Sequence, residues 1–497
     1  MLNNIPLLFI FSFLTNKING VLLEKIFFFL IFLIIGLSAY YSLKPIKSTA
    51  ARITAATFYV VNPFVYERFF AGHIWFLLGY AILPVYFYCL LSAFNYFTEN
   101  KEKAHSNKTI VLTAVLGTLI AISSIHFAII LAVPLLAVFL SKIISGGRKK
   151  IKNTLLVFAK LIFWLLFFNS FWILPFLFFK PTLLGTFDIS HFYAFQTAAD
   201  VKYGLLPNIL GLYGFWREAT APNEIILTKN LLPCWPVFLV PIAITALAGI
   251  FALLKEKKYA LLSALILILT GGAALVMGPH LKINIWLFKH FSPFRGLREI
   301  EKFSALIALV YCFLIAYGVN CFKQIFKKTA FIIICAILFL TVLIYNYKIF
   351  WGFGGQIKTF NYPPSYEKLA ELKKEKDNYK ILLLPWHMYA HYSFGNGRNL
   401  IDPARAYPSA KLLSTQDMGV KEVIPQESSE GEIIKSLLRK EDDAIWRDIL
   451  KFLNVKYVFI NKTPLDQPKK FDDFFLEKSA YFQKISGDDF ANIFILK

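Results

Sequence analysis

The sequence predicts an α-helical polytopic membrane protein of about ten spans, followed by a smaller α/β domain outside the membrane. Three observations carry that prediction. Of 497 residues, 57% are hydrophobic and 17% charged, whereas about a quarter of the residues in soluble proteins are charged. Apolar runs near the roughly 20 residues needed to cross a bilayer recur up to about position 350 and then stop. The net charge of +22 is also unevenly placed: residues 1–354 hold 31 Lys+Arg against 11 Asp+Glu, while 355–497 hold 22 against 20. The excess belongs to the membrane part, which argues against a nucleic-acid surface.

Five hydrophilic breaks, 44–52, 98–108, 142–153, 255–258 and 323–328, together contain 17 Lys/Arg in 42 residues. Basic loops resist translocation and favour the anionic inner leaflet, so these breaks are assigned to the cytoplasm. The expected spans are then 21–43, 50–66, 74–97, 109–122, 125–141, 154–178, 236–254, 259–277, 303–322 and 329–347. Loops 67–73, 179–235 and 278–302 and everything after 354 fall on the outer side. Spans 109–122 and 125–141 are short and meet at "SSIHF", so a pair of broken or re-entrant helices is the alternative there. The alternation puts the N-terminus outside, yet "IPLLFIFSFL" (5–14) is too short to span, and no signal-peptide cleavage pattern follows it. Either an upstream helix and its outer loop precede this chain, or an outer half-helix lies at the interface.

Residues 1–354 thus form the transmembrane domain and 355–497 an extracytoplasmic α/β domain. Within the latter, "YKILLLPW" (379–386) and "VKYVFIN" (455–461) read as buried strands. Residues 480–496 read as a hairpin turning near Gly487–Asp489, and 365–376 and 431–453 as helices. Cys89, Cys234, Cys312, Cys321 and Cys335 are scattered, without a CxxC pair, and suggest neither a disulfide framework nor a zinc site. There is no P-loop, dinucleotide-binding glycine pattern, HExxH or GxSxG. Asn461-Lys462-Thr463 matches a glycosylation triplet of a kind common by chance.

Candidate chemistry lies on the outer loops. "NPFVYERFFAGHIWFLLGYAILP" (62–84) sets Glu67, Arg68 and His73 between two apolar runs. Each alone reads as a headgroup anchor; as a cluster of charge at a membrane boundary they read as a functional site. Loop 179–235 is rich in aromatics and holds Asp188, His191, Asp200, Arg217 and Glu218. It suits a sugar or lipid-headgroup cleft, with an interfacial aromatic belt as the plainer reading of its Phe and Tyr residues. At "FSPFRGLREIEKF" (291–303), Arg295, Arg298 and Lys302 have the spacing of a phosphate clamp, or else form ion pairs with Glu299 and Glu301.

"NPFVYERFFAGH", "NSFWILPFL" (169–177), "LYGFWRE" (212–218), "PFRGLREIEKF" (293–303), "LPWHMYAHY" (384–392) and "LNVKYVFI" (453–460) together resemble the GT-C superfamily of polytopic glycosyltransferases. The nearest likeness is to the YfhO-type and the arabinofuranosyltransferase-like membrane proteins. The resemblance implies a GT-C-like membrane domain in the cytoplasmic membrane. It also implies transfer of a sugar from a polyprenyl-phosphate carrier to an envelope glycan, lipid or protein on the outer face, with membrane lipids as further partners and no nucleic acid. In many members the key carboxylate lies in a first outer loop, and the resemblance places the start of this chain after that loop. Arg68, His73, Arg295, Arg298 and Lys302 carry over as lipid-phosphate contacts. Glu67, Asp188 and Asp200 are stand-in candidates for the catalytic base, and His191, Arg217 and Glu218 are sugar or acceptor contacts. No dedicated metal motif accompanies them, and a divalent cation is the one candidate cofactor. The rival readings are a non-catalytic protein that binds or moves lipid-linked glycans, and a structural subunit of envelope assembly.

Overall fold

A computed structural model describes residues 2–98, 103–178, 187–220, 226–297, 299–372, 375, 377–395, 398–406, 411–415, 428–440, 442–462 and 474–497. These divide into two compact units, one of residues 1–184 and 195–354, the other of 185–194 and 355–497.

The first unit is a helical bundle. Eight segments are long and apolar enough to cross a membrane: Gly20–Ser42, Ile74–Asn95, His126–Ser145, Lys150–Phe178, Pro236–Lys255, Tyr259–Val276, Ile300–Ile325 and Lys328–Tyr345. Two expected spans fall outside that set. Span 50–66 is broken into helices Thr49–Val60 and Pro63–Phe70, and 109–122 is the apolar part of helix Lys103–Ser123. The basic break 142–153 is built of helical turns rather than an open loop, between the apolar segments His126–Ser145 and Lys150–Phe178. Even so, the rings of Phe139 and Phe158 lie 4.4 Å apart, where a straight helix would separate them by about 28 Å. The chain therefore reverses within the basic segment, and the expected pair of antiparallel spans is present.

Helix Ser304–Ile325 sits at the centre, buried almost all round, as an uninterrupted apolar helix requires. The outer helices Gly20–Ser42 and Lys150–Phe178 bury only 17% of their apolar windows, leaving the rest for lipid. Helix Pro236–Lys255 crosses the central helix with backbones in contact. A Cβ on Gly249 would fall on the Leu314 carbonyl, and one on Gly318 on the Thr245 carbonyl. Small residues at such crossings let transmembrane helices approach closely. The unit ends in a left-handed turn, with Trp351, Gly352, Phe353 and Gly354 all near φ +60°, and Phe353 is held there by the Phe69 ring at 4.8 Å.

The second unit is an α/β layer structure. Its five-stranded sheet has the order β4-β1-β5-β7-β6, where β1 is Lys380–Leu384, β4 Leu412–Leu413, β5 Val455–Asn461, β6 Phe482–Gly487 and β7 Ala491–Leu496. β1 runs parallel to β4 and β5, and β7 antiparallel to β5 and β6. Alternation along β1 feeds two cores. Leu382 and Leu384 pack with Trp446, Leu450 and Ile434, from helices Asp443–Phe452 and Ser429–Leu437. Ile381 and Leu383 pack with Tyr366 and Leu369 of helix Pro364–Leu372. The sequence reading missed the hairpin of β2 (Tyr389–Tyr392) and β3 (Arg398–Ile401) and the two-residue β4.

Candidate active site

Asn62-Pro63 stops one helix and starts the next. Pro63 has no N–H to give a helix interior and suits a first turn. The Asn62 side chain accepts from Val65 N–H (3.1 Å) and donates to the carbonyls of Phe58 and Tyr59 (3.0 and 2.9 Å), satisfying groups that a break at membrane depth would leave bare. Downstream, Gly72 takes φ +73° and closes helix Pro63–Phe70 in a Schellman turn. His73 N–H donates to Arg68 O (2.9 Å) and Gly72 N–H to Phe69 O (3.0 Å). The turn brings His73 back onto Arg68, with Arg68 Nη1 3.2 Å from His73 Nδ1. A guanidinium only donates, so Nδ1 accepts and Nε2, 3.7 Å from Glu299, carries the ring proton.

The rest of this charged cluster comes from the turn before the central helix. Arg68 Nη1 donates to Glu301 Oε1 (3.2 Å) and lies 3.8 Å from Glu299 Oε2. Lys302 Nζ is 2.9 Å from that same Glu299 oxygen and 3.4 Å from His126 Nε2. The Phe215 ring covers the guanidinium at 4.2 Å. Arg68 is fully buried, and its Nε and Nη2 have no hydrogen-bond partner among the described residues. Burial above all, with Lys302 and Arg68, holds the His73 imidazole down to about 3 against the pull of Glu299, so the ring is neutral. Burial opposes ionisation of Glu299 as well, but there Lys302 and the other cations win and its carboxyl lies below the usual range.

Adjacent in the helix, Glu67 faces a cavity of about 380 Å³ walled by Asp200, Tyr203, Arg217, Glu218, Lys229 and Trp235 among others. Glu67 is buried with its carboxyl beside that of Glu218, and among the described residues its Oε1 has no hydrogen-bond partner. Burial first, and then the neighbouring Glu218 carboxyl, raise Glu67 well above the usual carboxylate range. Glu218 accepts from the N–H groups of Gly214 (2.6 Å) and Phe215 (3.1 Å) and pairs with Lys229. Lys229 in turn donates to Asn208 Oδ1 (2.7 Å) and lies 3.7 Å from Asp200. Asp200 accepts from the N–H of Lys202 and Tyr203 (2.9 and 3.0 Å) and from Trp235 Nε1 (3.2 Å). Burial works against its ionisation, but these donors and Lys229 keep it ionised at low pH.

The structure thus brings together Glu67, Asp200, Arg217 and Glu218 around the cavity, and Arg68, His73 and Lys302 in the charged cluster beside it. Arg295 does not join them. Its guanidinium donates to the carbonyls of Phe288 (3.2 Å) and Lys289 (3.0 Å), at the end of helix Lys282–His290, where a cation complements the helix dipole. Arg298 lies outside the described residues. Asp188 and His191 belong to the second unit. Asp188 accepts from Ser190 N–H (2.8 Å) as a helix cap and pairs with His191 Nδ1 (2.8 Å). Bonds from the Ser190 hydroxyl and His191 pull its carboxyl down to about 2, which makes it a weak proton acceptor. The sequence reading missed Lys229, Asn208 and Trp235; a lysine inside the apolar stretch "ILTKNLLP" was the available signal.

Among the described residues no three metal-ligating side chains converge. The nearest acidic set suits a cation poorly, because Asp200 and Glu218 already receive backbone N–H groups and the Lys229 ammonium; a hard cation prefers oxygen ligands free of such donors.

No protein family matches the sequence, and no curated protein does. Solved structures do match in fold. The arabinofuranosyltransferase AftD from mycobacteria superposes with a TM-score of 0.54 at 15% identity, over 94% of this chain and 34% of its own. The chain has a GT-C fold. The Archaeoglobus fulgidus oligosaccharyltransferase aligns over 86% of this chain and 56% of its own, at 12% identity and a TM-score of 0.47. This chain spans about a third of the length of AftD. Within it, the broken second helix and the turn before the central helix supply the charged cluster, and the loop around Asp200, Glu218 and Lys229 supplies the cavity wall.

Proposed function

We propose that this GT-C chain is a membrane glycosyltransferase that moves a sugar from a polyprenyl-phosphate donor to an envelope acceptor hydroxyl, on the outer face, at the Glu67 cavity. One observation supports this above others: the buried Glu67 carboxyl, with Oε1 unpartnered among the described residues, lines the cavity together with the Arg217 cation. Buried polar groups are rarely left unpaired, and this pairing of an acceptor and an anion clamp is what a glycosyl transfer requires.

The reaction is a displacement at the anomeric carbon. The acceptor oxygen forms the new bond as the bond from that carbon to the phosphate oxygen breaks, and the electron pair leaves with the lipid phosphate. The acceptor proton passes to the Glu67–Glu218 carboxyl pair on the cavity wall. A carboxyl raised by burial is a better proton acceptor than Asp200, whose hydrogen bonds favour its ionised form. Arg217, a cation on the cavity wall, meets the departing phosphate, where charge develops in the transition state, and Arg68, buried beneath the Phe215 ring that lines the cavity, adds positive potential. Glu299 and Glu301 fix the Arg68 and Lys302 side chains, and neutral His73 keeps the guanidinium oriented.

The test is transfer from radiolabelled polyprenyl-phosphate sugars to candidate acceptors by the purified chain in lipid. The expected result is turnover that falls by about 10²–10⁴-fold in Glu67→Gln, with donor binding retained. Donor binding without transfer, across a panel of donors and acceptors, would favour the non-catalytic glycan-binding reading instead.

A further inference from the structure

A second cavity, of about 590 Å³, lies at the other end of helix Ile74–Thr98 from Glu67 and His73. Lys142, Lys257 and Lys258 line it, with Tyr88, Phe313 and Tyr317. These lysines come from two connections more than a hundred residues apart, both in segments whose basic charge places them on the inner side of the membrane. A fourth cation, Lys44, stands 5.0 Å above the Tyr88 ring on the rim. Among the described residues no acidic side chain lines the cavity. The nearest acid, Glu256, is paired with Lys258 at 2.7 Å, and Lys258 also reaches the Tyr317 hydroxyl at 3.4 Å. Lys257 forms no ion pair among the described residues, and it holds φ +54° in the turn between two helices, a conformation that Gly or Asn adopts more readily.

Lysines that serve only to orient a membrane protein need no common target, and each can extend separately into the headgroup layer. Here they converge on one concave wall. Tyr hydroxyls and ammonium groups are phosphate ligands, whereas the rear of the cavity is Leu43, Ile46, Leu91 and Phe313. A cationic mouth over an apolar back, at the ends of membrane helices, matches a phosphate with hydrocarbon attached better than a free ion. The geometry points to a binding site for the phosphate headgroup of an anionic lipid, in the leaflet facing the basic loops. It stands apart from the transfer site and does not depend on it.

The test is lipid retention by the full-length protein, measured by native mass spectrometry with phosphatidylglycerol, phosphatidylcholine or inorganic phosphate as the added probe. Phosphatidylglycerol is retained in preference to phosphatidylcholine. Lys142→Gln with Lys257→Gln weakens that retention by about 25-fold, near fivefold for each ammonium lost at a membrane surface, and the corresponding Arg variants keep it. If the double variant does not fold, Lys257→Gln alone, at an exposed turn, is expected to lose about fivefold. Equal retention of the two lipids, or unchanged retention in the Gln variants, would overturn the site. Displacement of the lipid by equimolar inorganic phosphate would overturn the lipid assignment and leave an ion site.

Discussion

Glu67 and Arg68 are neighbours in sequence that work in different surroundings, because successive residues of a helix point about 100° apart. One faces Glu218 and the cavity; the other faces Glu299 and Glu301. Both stood out in the sequence as charges in an apolar stretch. Lys229 also lies in an apolar stretch, but its partners Glu218 and Asp200 are 11 and 29 residues away in sequence and meet it only in the folded chain. Arg295 was misplaced for the converse reason: clustering in sequence suggested a clamp, while the three-dimensional neighbours are helix-end carbonyls. Two predictions belong at this scale. Replacing Arg68 by Gln leaves the buried Glu301 carboxyl without its cation while Glu299 keeps Lys302, and loss of one member of a buried ion pair costs about 3–5 kcal/mol. Thermal unfolding in detergent should show this loss, and adding Glu301→Gln should recover part of it. The second concerns pH. The raised Glu67 carboxyl must lose its proton to act as a base, so turnover rises with pH and its inflection lies above the ordinary carboxylate range. Lys229 favours the charged form of Glu67, so Lys229→Gln moves the inflection further up; a pH–rate profile that stays in place would remove Glu67 from the base role.

The elements were legible wherever hydrophobic period alone decides them. Long apolar runs became helices, β5 covers 455–461 as read, and the terminal hairpin turns between Gly487 and Ala491. What escaped were elements set by tertiary context. β2 and β3 are four residues each, too short for alternation to register, and β4 has two. The break at Asn62-Pro63 combines local bonds from the Asn62 side chain to the Phe58 and Tyr59 carbonyls with one to the Tyr80 hydroxyl, which the packed bundle supplies. The crossing of Pro236–Lys255 with Ser304–Ile325 is similar: Gly249 and Gly318 are ordinary glycines in sequence, yet each faces a carbonyl of the opposing helix. Gly318→Ala is expected to push these helices apart at a cost of about 1–3 kcal/mol, the usual range for overpacking. Its unfolding midpoint should fall, whereas Gly20→Ala, with nothing within 4 Å of the added Cβ, should leave the midpoint in place.

At the scale of the whole molecule the two units answer to different solvents, and their stabilities should respond differently to acid. In the second unit Asp402 is buried beside Ala404 N–H and the Tyr366 hydroxyl, and burial raises its carboxyl to about 6. The folded state then keeps a proton that the unfolded chain releases near pH 4. Stability from this group is complete below about pH 4 and about 3 kcal/mol is lost as the pH rises through 6. Amide exchange in β5 should report that loss, and Asp402→Asn should flatten it. Placement about the membrane gives a further test, because the basic connections predict which surfaces face the cytoplasm. Cys234 is exposed on the loop between Phe178 and Pro236, while Cys89, Cys312 and Cys321 are buried. In intact cells a membrane-impermeant maleimide should therefore label Cys234. In a Cys234→Ser background, Asp448→Cys in the second unit should be labelled in the same way, and Lys255→Cys only after permeabilisation. The opposite pattern would invert the molecule, place the Glu67 cavity on the cytoplasmic side, and remove the physical basis for an outer-face lipid-phosphate donor.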